Sequence, residues 1–242
     1  MRIELFVIAL LFAFSCTREE SDSQIAISES ENRIIFNDSN KTNLIKDTAT
    51  SITVAKFHPL YFGIPKNKID INHNIEELGF EFDDWSAYRY PDTTDLSIFV
   101  DTSQIIASLH PYSHQIKDQN NQVKFEIRYR RLESYPVTIL NVSSDTLNIG
   151  YGIFLPIVIE AVDSSGSWQP IQELFIYFCG TGLSHYYLPP GNIVVSACKK
   201  FEGSYSTKMR LVYGFHKECY SNEFWGTMDY KQFAAPSRPN YW

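Results

Sequence analysis

Cys179 stands directly before Gly180-Thr181-Gly182, with His185 and His216 further along the chain, and a thiol beside an imidazole is the least equipment a cysteine nucleophile needs. The thiol must also have a lowered pKa and a base within hydrogen-bond reach, and no local signature around Cys179 supplies either, so a buried or cross-linked cysteine is the better reading. His110 and His114 are four apart, a spacing that would put both imidazoles on one face of a helix, as zinc sites use. Pro111 lies between them and no third ligand follows at a recognisable spacing, so neither a metal nor any cofactor is expected. Glu81, Asp83 and Asp84 form the densest acidic group of the part that should fold, and Trp85, Tyr88 and Tyr90 follow them. Paired carboxylates beside aromatics serve sugar binding, glycoside hydrolysis or calcium binding, yet the same composition describes a solvated loop rim. Arg128, Arg130 and Arg131 resemble an anion site until their neighbours are read, because two of them share the polar face of an alternating stretch.

These side chains must be held by strands. Val123, Phe125, Ile127 and Tyr129 alternate with Lys124, Glu126, Arg128 and Arg130, which predicts a strand with one buried and one wet face. A second alternation sets Tyr205, Thr207, Met209, Leu211 and Tyr213 against Ser206, Lys208, Arg210 and Val212. Leu96 to Val100 and Ile157 to Val162 read as strand cores, the latter apolar on both faces apart from Glu160, and Pro156 excludes an unbroken strand running into it. Pro189-Pro190-Gly191 is the strongest turn in the chain. Asp101-Thr102-Ser103 is expected to cap a short helix carrying Ile105, Ile106 and Leu109 and ending before Pro111.

The chain has 242 residues, of which 15% are aromatic and 20% charged, and this excludes a disordered or coiled-coil protein. Its formal charge of -7 gives the whole molecule no attraction to nucleic acid or anionic lipid. Seven or more candidate strands, Gly/Pro/Asn turns and no long helical period predict a mainly β fold. The expected architecture is an antiparallel immunoglobulin-like β-sandwich over 118–242, preceded by a less regular strand-and-loop portion over 51–117. Three cysteines in that part, Cys179, Cys198 and Cys219, are candidates for one disulfide whose pairing the spacing leaves open.

Met1 to Ser15 combines Arg2, an apolar run from Leu5 to Phe14 and a small residue before Cys16, too short for a helix that would need about 20 residues to span a bilayer. The stretch Ala13-Phe14-Ser15-Cys16 resembles the lipobox of bacterial lipoproteins. The resemblance implies cleavage before Cys16, acylation of that cysteine, and a location at the bacterial envelope, in the Bacteroidota pattern at the outer membrane. Residues 16–50 then read as a flexible polar tether, with Glu19, Glu20 and Asp22 similar to the acidic patches that follow the cysteine in Bacteroidota lipoproteins. The layout from Pro136 through Pro189-Pro190-Gly191 to Gly203-Ser204-Tyr205 resembles immunoglobulin-like domains of bacterial surface lipoproteins and secreted inhibitors, and it transfers no site residue.

The function expected from these features is that of a noncatalytic binding or structural module, held by membrane lipid through N-terminal acyl chains, whose partner is an envelope protein or glycan. Trp85, Tyr88, Trp168, Tyr186 and Tyr187 are the expected contact aromatics. The alternative is a carboxylate-dependent hydrolase of an exported or cell-wall substrate, using Asp83, Asp84 or Glu160.

Overall fold

The computed structural model of the protein describes residues 33–50, 53–73, 88–117, 122–177, 185–214 and 218–234. Cys16, the acidic group with Trp85, Cys179 with its glycines, and His216 lie outside them. The described strands are β1 (Ile35–Asn37), β2 (Thr53–Val54), β3 (Tyr61–Gly63), β4 (Lys68–Asp70), β5 (Tyr88–Arg89), β6 (Leu96–Val100), β7 (Ile106–Lys117), β8 (Val123–Asn141) and β9 (Thr146–Tyr151). They continue as β10 (Ile157–Val162), β11 (Trp168–Pro170), β12 (Gln172–Glu173), β13 (His185–Leu188), β14 (Ile193–Lys199), β15 (Tyr205–Tyr213), β16 (Cys219–Tyr220) and β17 (Phe224–Met228). The fold is mainly β and made of several sheets.

Two of those sheets build most of the core. One runs β3-β14-β8-β6 with β7 as a further partner of β8, and the other runs β11-β10-β15-β16 with β17 also on β15. Ile157, Ile159 and Ala161 of β10 and Met209 and Leu211 of β15 share one apolar cluster with Val137 and Ile139 of β8 and Val194 and Cys198 of β14. Strand β14 is buried along its whole length because both of its faces are covered. Its alternate residues Ile193, Val195 and Ala197 point the other way, into a second cluster with Phe36, Ile69 and Ile106.

That second cluster overturns the expected tether as far back as Ile34. Phe36 pairs with Ile69 where β1 runs parallel to β4, Ile45 bridges Leu132, and Asp47 bridges Phe201. Isolated isoleucines in a polar stretch cannot build a core, but they complete one that other strands supply. Asp38 fixes the segment: its carboxylate accepts hydrogen bonds from the Ala107 and Asn40 amides and lies 3.0 Å from His73 Nε2. Burial alone would push that carboxyl up, but the hydrogen bonds outweigh it and hold Asp38 below 3.8. Nor does the chain divide at 117/118, since β7 and β6 pair with β8 within the compact unit Ile34–Trp242.

The expected helix over 105–109 is the start of strand β7, which continues through Pro111 to Lys117. Pro111 lies opposite Tyr129 of β8, and its missing N–H removes no bond that the β7–β8 pairing could not spare at an edge. His110 and His114, four residues apart on a strand, are therefore separated by roughly 13 Å rather than by one helical turn. Among the described residues no three of His, Cys, Asp and Glu come close enough together to hold a metal ion.

Burial depresses two histidines. His58, packed 4.4 Å from Phe154, is lowered from 6.5 to about 4 by loss of water, with Lys56 and His73 adding to the effect and a bond to Ile153 opposing it. His110 is also lowered to about 4, mainly by burial, with Lys199 adding and Asp47 opposing. An unfolded chain protonates such rings near 6.5 while the folded one does not, so their stabilisation is complete above pH 6.5 and is lost as pH falls to about 4. At 1.36 kcal/mol per pH unit the loss is at most about 3 kcal/mol per ring. Urea midpoints should therefore fall between pH 6.5 and 4 more steeply in the native chain than in His58→Gln/His110→Gln; parallel curves would contradict this assignment.

Candidate functional site

The chemistry-bearing residues described by the structure are mostly tied up in the fold. Glu160 is buried, directly opposite Arg210 in the β10–β15 pairing, and its Oε2 accepts from Arg210 Nε at 3.0 Å and Nη2 at 2.9 Å. The guanidinium is stacked between two rings, 4.4 Å from the centre of Trp168 and 4.0 Å from that of Tyr220. Trp168 thus serves as one plate of a cation sandwich. Glu160, as the counter-ion of that sandwich, is an acid already engaged in packing.

Of the remaining expected contact aromatics, Tyr186 and Tyr187 are buried. Two consecutive strand residues normally face opposite ways, but the β13–β9 pairing shifts register between them. Tyr186 packs 5.5 Å from Phe62, and Tyr187 packs 4.8 Å from Tyr88 and 6.0 Å from His185. Burial raises both hydroxyls to about 12. Tyr88 is half-buried against Tyr187, so this tyrosine group is a core wall rather than a docking rim.

Cys198 and Cys219 are free, buried thiols, and not halves of a bridge to one another. Cys198 sits in the main core cluster and burial raises it to about 12, while Cys219 donates to the Asp92 carbonyl and is raised to about 11, again chiefly by burial. Neither is poised as a nucleophile, because a thiol so raised carries almost no thiolate at neutral pH. Alkylation of the folded chain should leave both unmodified and alkylation in urea should modify both, located by peptide mass; modification of Cys198 in the folded protein would contradict the burial.

What the sequence did not single out is a cleft of ≈ 230 Å³ where the two large sheets meet. One wall comes from the interior of β8 and the end of β14, through Tyr135, Lys200 and Phe201, and the other from β15 and β17, through Phe224, Trp225 and Thr227. The register explains the placement, because Met209 faces Phe224 and Ser206 faces Thr227 across β15 and β17. Tyr135 meets Phe224 edge-on at 6.1 Å, Lys200 Nζ stands 5.1 Å over the Tyr135 ring, and Trp225 projects with 66% of its surface exposed. Lys199 pairs with Asp47 at 3.1 Å and Lys200 with Glu133, so the cleft is lined by ammonium groups whose charges are balanced. Burial would lower Lys200, but the Glu133 bond outweighs it and leaves it raised. Trp225 follows Phe224 in a short strand and precedes Gly226, and in the sequence alone it is indistinguishable from a core aromatic.

The cleft offers an aromatic plate, the Ser206 hydroxyl, the Thr227 oxygen as an acceptor, its proton being given to the Phe201 carbonyl at 3.0 Å, and cationic groups. It is smaller than the roughly 300–1,000 Å³ of sites that engulf a cofactor or drug-sized ligand, so it suits one ring-sized unit of a larger molecule. Comparison of the chain with family models, with curated proteins and with solved structures gives no significant match.

Proposed function

We propose that this protein is a noncatalytic binding module, exported and held at the bacterial envelope, most consistently the outer membrane, by acyl chains on Cys16. The reading of its position is supported by the lipobox-like Ala13-Phe14-Ser15-Cys16. The sharing of one core by two sheets supports an immunoglobulin-like sandwich as the scaffold. The observation that carries the binding role is the exposed Trp225 beside a ring-sized cleft lined by the Ser206 hydroxyl, the Thr227 oxygen and the Lys200 ammonium, the equipment for stacking and orienting a saccharide unit of an envelope glycan.

Two measurements test the parts separately. Intact-mass analysis of the protein from its native membrane fraction should find an acylated N-terminal Cys16, and an unmodified N-terminus in a soluble fraction would remove the anchor. On immobilised envelope glycans the chain should be retained saturably, and Trp225→Ala should weaken retention at least tenfold, in line with the about 1.4 kcal/mol that tenfold represents. Equal retention of the two proteins would remove the cleft from the function.

A further inference from the structure

Beyond the buried pair Ser108 and Leu132, strands β7 and β8 run on as a two-stranded ribbon whose β8 residues 123–131 are all exposed. Directly opposed residues of an antiparallel pair share a face, so the register sorts the ribbon into two sides. One side carries Tyr112, His114, Arg128 and Arg130, and it covers itself: Arg130 stacks 5.1 Å from the Tyr112 ring and Arg128 bonds Glu126. The other side carries Val123, Phe125, Ile127 and Tyr129 opposite Lys117, Gln115, Ser113 and Pro111. Its four large residues are bare, with Phe125 and Ile127 each 71% exposed. The alternation expected to give one buried face therefore gives an apolar face with nothing of the described fold over it.

We propose that this face docks on an anionic lipid surface, with the ribbon lying in the headgroup layer. Charge supports the assignment: the register puts Lys117, opposite Val123, and Arg131, two residues beyond Tyr129, on the bare face with no acidic residue among them, while Lys124, Arg128 and Arg130 stand with Glu126 on the other side of the thin ribbon, in a chain whose net charge is -7. The ribbon is thus a local cationic, apolar element on an acidic protein, and each basic residue near an anionic surface adds roughly fivefold to partitioning. Size favours lipid over a second copy. The bare strip is about 25 Å long and about 10 Å wide, a few hundred Å² where a stable protein interface uses about 800 Å² from each partner. Strand addition along an edge of the ribbon would leave the same face uncovered. The open edges also fix the depth, since unpaired backbone groups cannot enter hydrocarbon and are satisfied among headgroups. The proposal concerns the ribbon alone and holds with or without an acylated Cys16.

The test reads the ribbon directly in the full chain. Phe125→Trp places an indole on the bare face, and Val142→Trp places one at an exposed position beyond the far end of β8 as a control. With phosphatidylglycerol vesicles whose acyl chains are brominated, the emission added by F125W should be quenched at least twofold more than that added by V142W. The F125W quenching should fall at least tenfold in phosphatidylcholine vesicles and in the background Lys117→Glu/Arg131→Glu, which reverses the two charges that the register sets on the bare face. Thermal unfolding of F125W should match the native chain, because the replaced ring is mostly in water. Unquenched F125W emission in phosphatidylglycerol would overturn the proposal. So would a dimer by sedimentation equilibrium in which that emission is shielded without lipid, which would give the face to a second copy.

Discussion

Replacing Gly203 with alanine is expected to destabilise the fold by about 3 kcal/mol or more, enough to leave much of the protein unfolded. A Cβ at this position would stand 2.0 Å from the Met228 carbonyl carbon, 2.1 Å from its oxygen and 2.3 Å from the Asp229 nitrogen. These are backbone atoms, so no rotamer change relieves the clash. Met228 is itself fully buried and pairs with Tyr205 at the end of the β15–β17 ladder, which leaves the ladder little room to move. Glycine is required here by close approach of another strand. Gly191 provides the comparison: it has a φ of +70° in the Pro189-Pro190-Gly191 turn with nothing within 4 Å of an added Cβ. Gly191→Ala should therefore cost only the left-handed backbone penalty of about 1–2 kcal/mol. Urea denaturation of the two variants decides the matter, and a Gly203→Ala chain within about 0.5 kcal/mol of native would refute the packing argument.

Arg210→Ala should cost about 3–5 kcal/mol, the range for removing one partner of a buried ion pair. It leaves the buried Glu160 carboxylate without the two hydrogen bonds from the guanidinium, and it opens a gap between Trp168 and Tyr220. The reverse change should be milder. Glu160→Gln keeps an oxygen that Arg210 can bond, and the guanidinium remains stacked between its two rings, so a loss of about 1–2 kcal/mol is expected. Glu160→Gln/Arg210→Met should recover part of the Arg210→Ala deficit, because no charge is then stranded. A double variant as unstable as the sum of its single changes would show that the pair is not coupled.

The same residues show what a sequence can disclose. Tyr205 to Tyr213 alternates and is a strand, and Ile157 to Val162 stands where its apolar run placed it, starting just after Pro156. Glu160 was visible as the odd acid in that run, but its partner was not, because a cross-strand neighbour fifty residues away leaves no local trace. Periodicity also groups residues by face without saying whether another layer covers it. Val123 to Tyr129 forms the strand its pattern predicts, yet the β7–β8 ribbon extends beyond the layers that would bury its apolar side. Tyr186 and Tyr187 err in the opposite direction, since two adjacent tyrosines beside a turn resemble a contact loop and a register shift buries both. The cleft itself depends on Tyr135 from within β8, Phe201 from just beyond β14 and Trp225 from β17 meeting in space, a coincidence of tertiary register.

The most direct test of the binding role is an equilibrium titration of the full chain with an envelope glycan fragment, followed by mass analysis of the ligand after prolonged incubation. The account predicts one-to-one saturation, a change in Trp225 emission that is absent from Trp225→Ala, and ligand recovered unaltered. Cleaved ligand accumulating beyond one equivalent per chain, or saturation unaffected by Trp225→Ala, would contradict it.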